Sequence, residues 1–155
     1  MYQKILIPTD GSPMSTAAAY AGVALARQLA AGIVGIFVAP EFQYPIYLDI
    51  VPANYPTEVE FKVSMRKAGE DYLAEIQKAA ADAGLKFTGT VVFSDATAKQ
   101  IVATAEEKHC DLIFMGSHGR SGWGQVLLGS VTSKVLATCQ IPVLVYRSKQ
   151  QPANA

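Results

Sequence analysis

The chain lacks most of what would mark a nucleic-acid binder, a disulfide scaffold or a membrane protein. Lys and Arg number 13 and Asp and Glu number 13 among 155 residues, so there is no surplus of positive charge for a phosphate backbone. The two cysteines, Cys110 and Cys139, lie far apart without metal-ligand spacing, and they read as small hydrophobes in a reducing compartment. No apolar run approaches the roughly 20 residues of a membrane span. The opening MYQKILIPTDG has no signal-peptide h-region. These absences predict a cytoplasmic protein with no nucleic-acid partner and no membrane insertion. A G-x4-G-K-S/T phosphate loop with its lysine is also missing, and no carboxylate is clearly placed to hold a metal.

What is present suits a large core. Half of the residues are hydrophobic (50%) and 17% are charged, which argues against disorder. The length fits one domain, taken as residues 1–147, followed by a polar tail, 148–155, expected to be disordered. Strand and helix patterns alternate. Lys4–Thr9 is an apolar run, and Ser12 and Pro13 then open an alanine-rich helix running to about Ala31 and closed by Gly32. Gly32–Ala39 makes the second strand. A second helix, about Glu58 to Ala83, sets Met65, Ala68, Tyr72, Ile76, Ala79 and Ala83 on one face, with Gly84 at its C-terminal cap. Phe87–Phe93 is the third strand. Thr97 with Gln100 suggests a capping box for a third helix burying Ala98, Ile101, Val102 and Ala105. Asp111–Gly116, Gly129–Thr138 and Pro142–Tyr146 complete the set as strand, helix and strand. Continuous apolar strands between helices predict an α/β fold: one doubly wound domain with a five-stranded parallel sheet, order 3-2-1-4-5, and helices on both faces. Strands 1 and 4 then flank the switch point, where such folds bind ligands.

The segment from Met115 to Leu136, MGSHGRSGWGQVLLGSVTSKVL, falls at that point. It is a strand end, a glycine-rich loop and a helix start opened by Gly129-Ser130, the geometry from which phosphate cradles are built. Gly116 and Gly119 permit positive φ, Gly129 permits close approach, and Ser130, Thr132 and Ser133 add hydroxyls. Arg120 is a candidate phosphate contact in the same loop. Asp10, at the end of the first strand, converges on the same crevice. For His118 the sequence alone does not identify a group for acid–base work, and His109 suits a helix C-terminus.

Two other segments stand out. Residues 40–57, PEFQYPIYLDIVPANYPT, hold four prolines and four large aromatics and are long for a connection, so they read either as a lid or partner surface or as an excursion packed on its own rings. The last strand is an apolar edge without a gatekeeping charge, which predicts a homodimer through Pro142–Tyr146.

Together KILIPTDGS, GIVGIFV, IFMGSHGR, LLGSVTSKV and IPVLVY resemble the universal stress protein family across nearly the whole chain. The family's nucleotide motif, G-x2-G-x9-G-S/T, is matched by Gly116, Gly119, Gly129 and Ser130. The resemblance implies the ATP-binding branch. It implies that Asp10 contacts the adenine–ribose half beside Pro8 and Thr9, and that Val38 lies against adenine. Met115 and Gly116 would line the floor near the ribose, while Gly119, Gly129, Ser130, Val131 and Thr132 would wrap the phosphates. ATP, or ADP or AMP, is the implied ligand, with Mg²⁺ or Mn²⁺ carried on the phosphates. SDATAKQI, before the third helix, departs from the Gly-x-Pro often found there. The implied function is nucleotide-dependent regulation in a stress response. The alternative is a slow ATPase or autophosphorylating enzyme using the same site. A receiver domain using Asp10, Asp95 and Lys149 leaves the glycine loop unexplained.

Overall fold

A computed structural model describes residues 1–119 and 128–148. The elements in chain order are β1 (Lys4–Pro8), α1 (Pro13–Leu29), β2 (Gly32–Ala39), α2 (Glu58–Asp82), β3 (Phe87–Phe93), α3 (Thr97–Glu107), β4 (Leu112–Gly116), α4 (Ser130–Thr138) and β5 (Val143–Tyr146). The sheet has five strands in the order β3-β2-β1-β4-β5, and every paired neighbour is parallel. This is the expected doubly wound topology.

The two-residue period of the strands divides the core. Ile5, Ile7, Ile33, Leu112 and Phe114 face α1 and α2, where they pack with Ala18, Val23, Ala26, Ile76 and Ala80. Leu6, Val34, Ile36, Ile113 and Met115 face α3 and α4, where they meet Ala98, Ile101, Ala105 and Val135. Successive residues of β1 and β4 thus feed opposite layers, as strands covered on both faces must. Gly22 makes one close approach possible, since a Cβ there would lie 2.8 Å from Ile7 Cδ1 and 3.0 Å from Phe114 Cδ1.

Several local expectations are corrected. Helix α1 ends at Leu29, and its left-handed cap is Ala30 (φ 52°); Gly32 is already the first residue of β2. The cost of that conformation for alanine is set against the hydrogen bond it permits from Ala31 N to Ala26 O at 2.9 Å. The fully buried stripe of α2 is Gly69, Leu73, Ile76 and Ala80; of the expected face Ile76 belongs to it, while Met65, Ala68, Tyr72, Ala79 and Ala83 are half-buried along its edge. The reason is Gly69, where a Cβ would overlap the Phe37 ring, so the helix turns its thinnest point to the sheet. Thr97 is the first helical residue of α3 rather than its cap; the cap position is Ala96, and no side chain caps this helix. On the same helix Thr104 is buried and Val102 is only half-buried. Gly84 (φ 71°) does follow α2 in the left-handed turn the sequence asks for. Strand β5 pairs with β4 alone and is therefore an edge.

Candidate nucleotide site

β1 and β4 run side by side, with Ile5 opposite Leu112 and Leu6 opposite Ile113, and then diverge. The chain leaving β1 enters α1 on one face of the sheet, while the chain leaving β4 enters α4 on the other. A cleft of about 240 Å³ opens between them at the carboxyl ends of the strands. Pro8, Thr9 and Asp10 line one wall, Met115, Gly116, His118 and Gly119 another, and Gly129–Thr132 the third.

The Asp10 wall is held by short hydroxyl side chains. Thr9 Oγ1 and Ser15 Oγ are 3.2 Å apart, and Thr9 Oγ1 accepts from Gly11 N at 3.1 Å. Ser12 Oγ accepts from Ser15 N at 3.2 Å and caps α1. Asp10 Oδ1 accepts from Ser12 N at 2.9 Å, so one carboxylate oxygen is committed to the turn. Oδ2 faces across the cleft, where a Cβ at Gly119 would collide with it. Gly11 is required twice over: its φ is +74°, and the Tyr72 ring of α2 occupies the place of its missing side chain.

On the opposite wall the loop ends meet. Gly129 N donates to Ser117 O at 2.7 Å, and a Cβ at Gly129 would lie 3.2 Å from that same oxygen. Neither Gly116 nor Gly119 has positive φ, which corrects the expectation of left-handed turns there. Gly119 is needed for space against Asp10, and the close approach at Gly129 is to the loop's own backbone. Gly129 is the extended N-cap of α4 (φ −68°, ψ 159°), and among the described residues no side chain caps α4. The first-turn amides of Ser130, Val131 and Thr132 therefore have no intrahelical acceptor, at the positive end of the helix dipole. Thr132 Oγ1 donates to Gly116 O at 2.9 Å, so this buried hydroxyl ties α4 to β4 rather than standing free as a donor. Ser130, in contrast, is exposed.

A scan of family models matches residues 1–147 to the universal stress protein family. Universal stress protein MJ0531 of Methanocaldococcus jannaschii is 32% identical over 155 residues, spanning 97% of this chain and 85% of its own. YxiE of Bacillus subtilis is 34% identical over 153 residues, 95% of this chain and all of its own (100%). The chain belongs to the universal stress protein family. The solved structure of MJ0577 superposes with a TM-score of 0.81 at 30% identity, covering 97% of this chain and 99% of that one.

For this family member, the sequence-expected residues separate into three groups. Pro8, Thr9, Asp10, Met115, Gly116, Gly119, Gly129, Ser130, Val131 and Thr132 come together around one cleft. Val38 does not line it; it is half-buried, pairs with Val92 and packs on the core layer below α3. Arg120 and residues 149–155 of the expected tail lie outside the described residues. Sequence reasoning missed Ser15, Thr97 and Ile101, which line the cleft from α1 and α3. Ile101 carried a signal, since it follows Ala98 in the apolar stripe of a helix whose N-terminus opens toward the switch point. Among the described residues no group of three His, Cys, Asp or Glu side chains gathers that could hold a metal ion.

Proposed function

We propose that this universal stress protein is an ATP-binding regulatory module acting in a stress response, with ATP held in the cleft between β1 and β4. The observation that carries the reading is the first turn of α4, capped by no side chain among the described residues and opening on a cleft where glycines keep side chains out. Backbone amides at a helix start suit a polyphosphate. Pro8, Ile101, Met115 and Val131 supply apolar surface for a base, and Asp10 Oδ2 is an acceptor for a ribose hydroxyl. Two more distant members of the fold were solved with cAMP and with dAMP, at 23% and 15% identity and TM-scores of 0.65 and 0.63. They support an adenine nucleotide as the ligand class, and the polyphosphate preference rests on the α4 turn. Asp10 is the one carboxylate lining the cleft among the described residues, so Mg²⁺ or Mn²⁺ enters on the phosphates.

The reading includes a homodimer. β5 is an edge whose Leu144 is exposed, and pairing two such edges about a two-fold axis closes both sheets. Nucleotide occupancy then alters the dimer's affinity for a partner.

The test is to denature the purified protein and identify any released nucleotide, then titrate with ATP, ADP and AMP with and without Mg²⁺. ATP bound tightly and turned over slowly supports regulation. Turnover near the ~10 s⁻¹ typical of enzymes would replace it with the ATPase reading. Failure to bind any nucleotide would make the glycine loop a structural turn.

A further inference from the structure

The connection between β2 and α2 is built as a platform, and nothing in the nucleotide reading uses it. Its inner side is an aromatic cluster: Phe42 contacts Tyr44, Tyr55 and Phe61, with ring centroids 5.1, 6.1 and 5.6 Å away. Tyr55 Oη donates to Gln43 O at 2.7 Å, and Tyr44 Oη donates to Glu58. At its far end Thr57 and Glu60 form a reciprocal capping box on α2. At its near end Glu41 N donates to Asp95 Oδ1 at 3.0 Å, which fastens the segment to the loop before α3. The segment is thus tied down at both ends and in the middle.

Its outer side is apolar and open to solvent. Ile46, Tyr47 and Ile50 are 75%, 92% and 84% exposed, and Leu48 and Val51 are exposed as well. Val59 and Val63, one turn apart on α2, extend the exposed apolar stretch along the chain. Scattered apolar side chains on a surface are ordinary, but seven within 18 consecutive residues, on a segment anchored by its own rings, mark an interaction surface.

Charge decides the occupant. Residues 41–63 hold four carboxylates, Glu41, Asp49, Glu58 and Glu60, against one base, Lys62, which is paired with Glu58 at 2.7 Å, so the surface is net acidic. Hydrogen bonds from Lys62 and Tyr44 hold Glu58 below the usual carboxylate range, and bonds from Thr57 do the same for Glu60, so both stay ionised. A second copy docked through this surface about a two-fold axis would set acids against acids, and an anionic bilayer would be repelled. We infer that residues 41–63 form a docking surface for a basic, apolar-faced segment of another protein, its Leu or Phe side chains seated on Ile46, Tyr47 and Ile50 and its Lys or Arg side chains facing Glu41 and Asp49. The surface is separate from the cleft, and the inference stands whether or not nucleotide binds.

The test uses the full chain and a fluorescent peptide of Leu and Lys at helical spacing, followed by anisotropy at low and high salt. Controls are a Leu and Glu peptide and phosphatidylglycerol vesicles. Binding of the Lys peptide is expected to weaken with salt. It is expected to fall more than about tenfold in Ile46→Ser/Tyr47→Ser/Ile50→Ser. In Glu41→Gln/Asp49→Asn it is expected to fall severalfold, with circular dichroism unchanged in both variants. Four results would overturn the proposal: affinity unmoved by either variant, equal binding of the Glu peptide, capture by vesicles instead, or self-association of the wild type that the Ser variant abolishes.

Discussion

The carboxylate of Asp10 occupies the space that a side chain at Gly119 would need: a Cβ built there overlaps Oδ2. The end of β1 and the loop after β4 are therefore fitted to each other across the cleft. Gly119→Ala must push Asp10 aside or open the loop. Affinity for ATP is expected to drop at least about tenfold, equivalent to about 1.4 kcal/mol. Urea unfolding, in contrast, should move little, because the overlap lies at the open end of the sheet. Equal ATP affinity in titration calorimetry would refute the fit.

At Ser130 two substitutions separate backbone from side chain. Gly129 has ψ 159°, an extended conformation that a following proline accepts, and position 130 is the first of the helix. Ser130→Pro thus removes an amide donor and a hydroxyl while α4 stays intact. Ser130→Ala removes the hydroxyl alone. Proline is expected to weaken ATP binding about tenfold or more and alanine only a fewfold, since a hydrogen bond to a charged group contributes about 1.5–3 kcal/mol. Equal effects of the two, read by calorimetry, would assign the contact to the hydroxyl.

The sheet order was legible because it depends on chain direction and period; of the ten cleft residues, Asp10, Gly116, Gly119, Gly129, Ser130 and Thr132 were legible in the loop chemistry, and Pro8, Thr9, Met115 and Val131 only in the resemblance to the family. Once apolar strands alternate with helices, crossover handedness leaves few topologies, and the ends of β1 and β4 must meet. Less legible was anything set by contact between distant elements. The face that α2 buries is chosen by Gly69 against Phe37, and the left-handed cap of α1 at Ala30 is the one that lets Ala31 N reach Ala26 O. Thr97 read as a cap from local spacing but lines the cleft instead, and Thr132 read as a free hydroxyl but is held by Gly116 O.

Tyr72 links α2 to the Asp10 turn by filling the space above Gly11. Gly11→Ala combines a left-handed backbone with a ring overlap and is expected to cost about 1–3 kcal/mol of stability. Tyr72→Ala removes the overlap but not the φ penalty. The double variant should therefore be less destabilised than the sum of the singles, by chemical denaturation. Strict additivity would mean that the ring and the turn are independent.

Cys110 gives the account a pH dependence. Burial pushes its thiol from the ordinary 9.0 up to about 11. Between those values the unfolded thiol has lost its proton and the native one has kept it. The unfolded state then binds fewer protons, so this group's contribution lowers stability as pH rises through that window. Native alkylation at pH 8 is expected to label half-buried Cys139 well before Cys110, by peptide mass spectrometry. Equal labelling would contradict the burial.

The edge strand is tested by Val143→Lys with Val145→Lys. The proposed dimer should become monomeric in sedimentation while the monomer keeps its helices by circular dichroism. A variant that sediments as a dimer would place the interface elsewhere.

The most direct test of the nucleotide site is a two-dimensional amide NMR titration of the wild-type chain with Mg²⁺–ATP. The account predicts that the largest saturable shifts fall on Asp10, Gly119, Ser130, Val131 and Thr132. Saturable shifts centred elsewhere, or none at millimolar ATP, would contradict it.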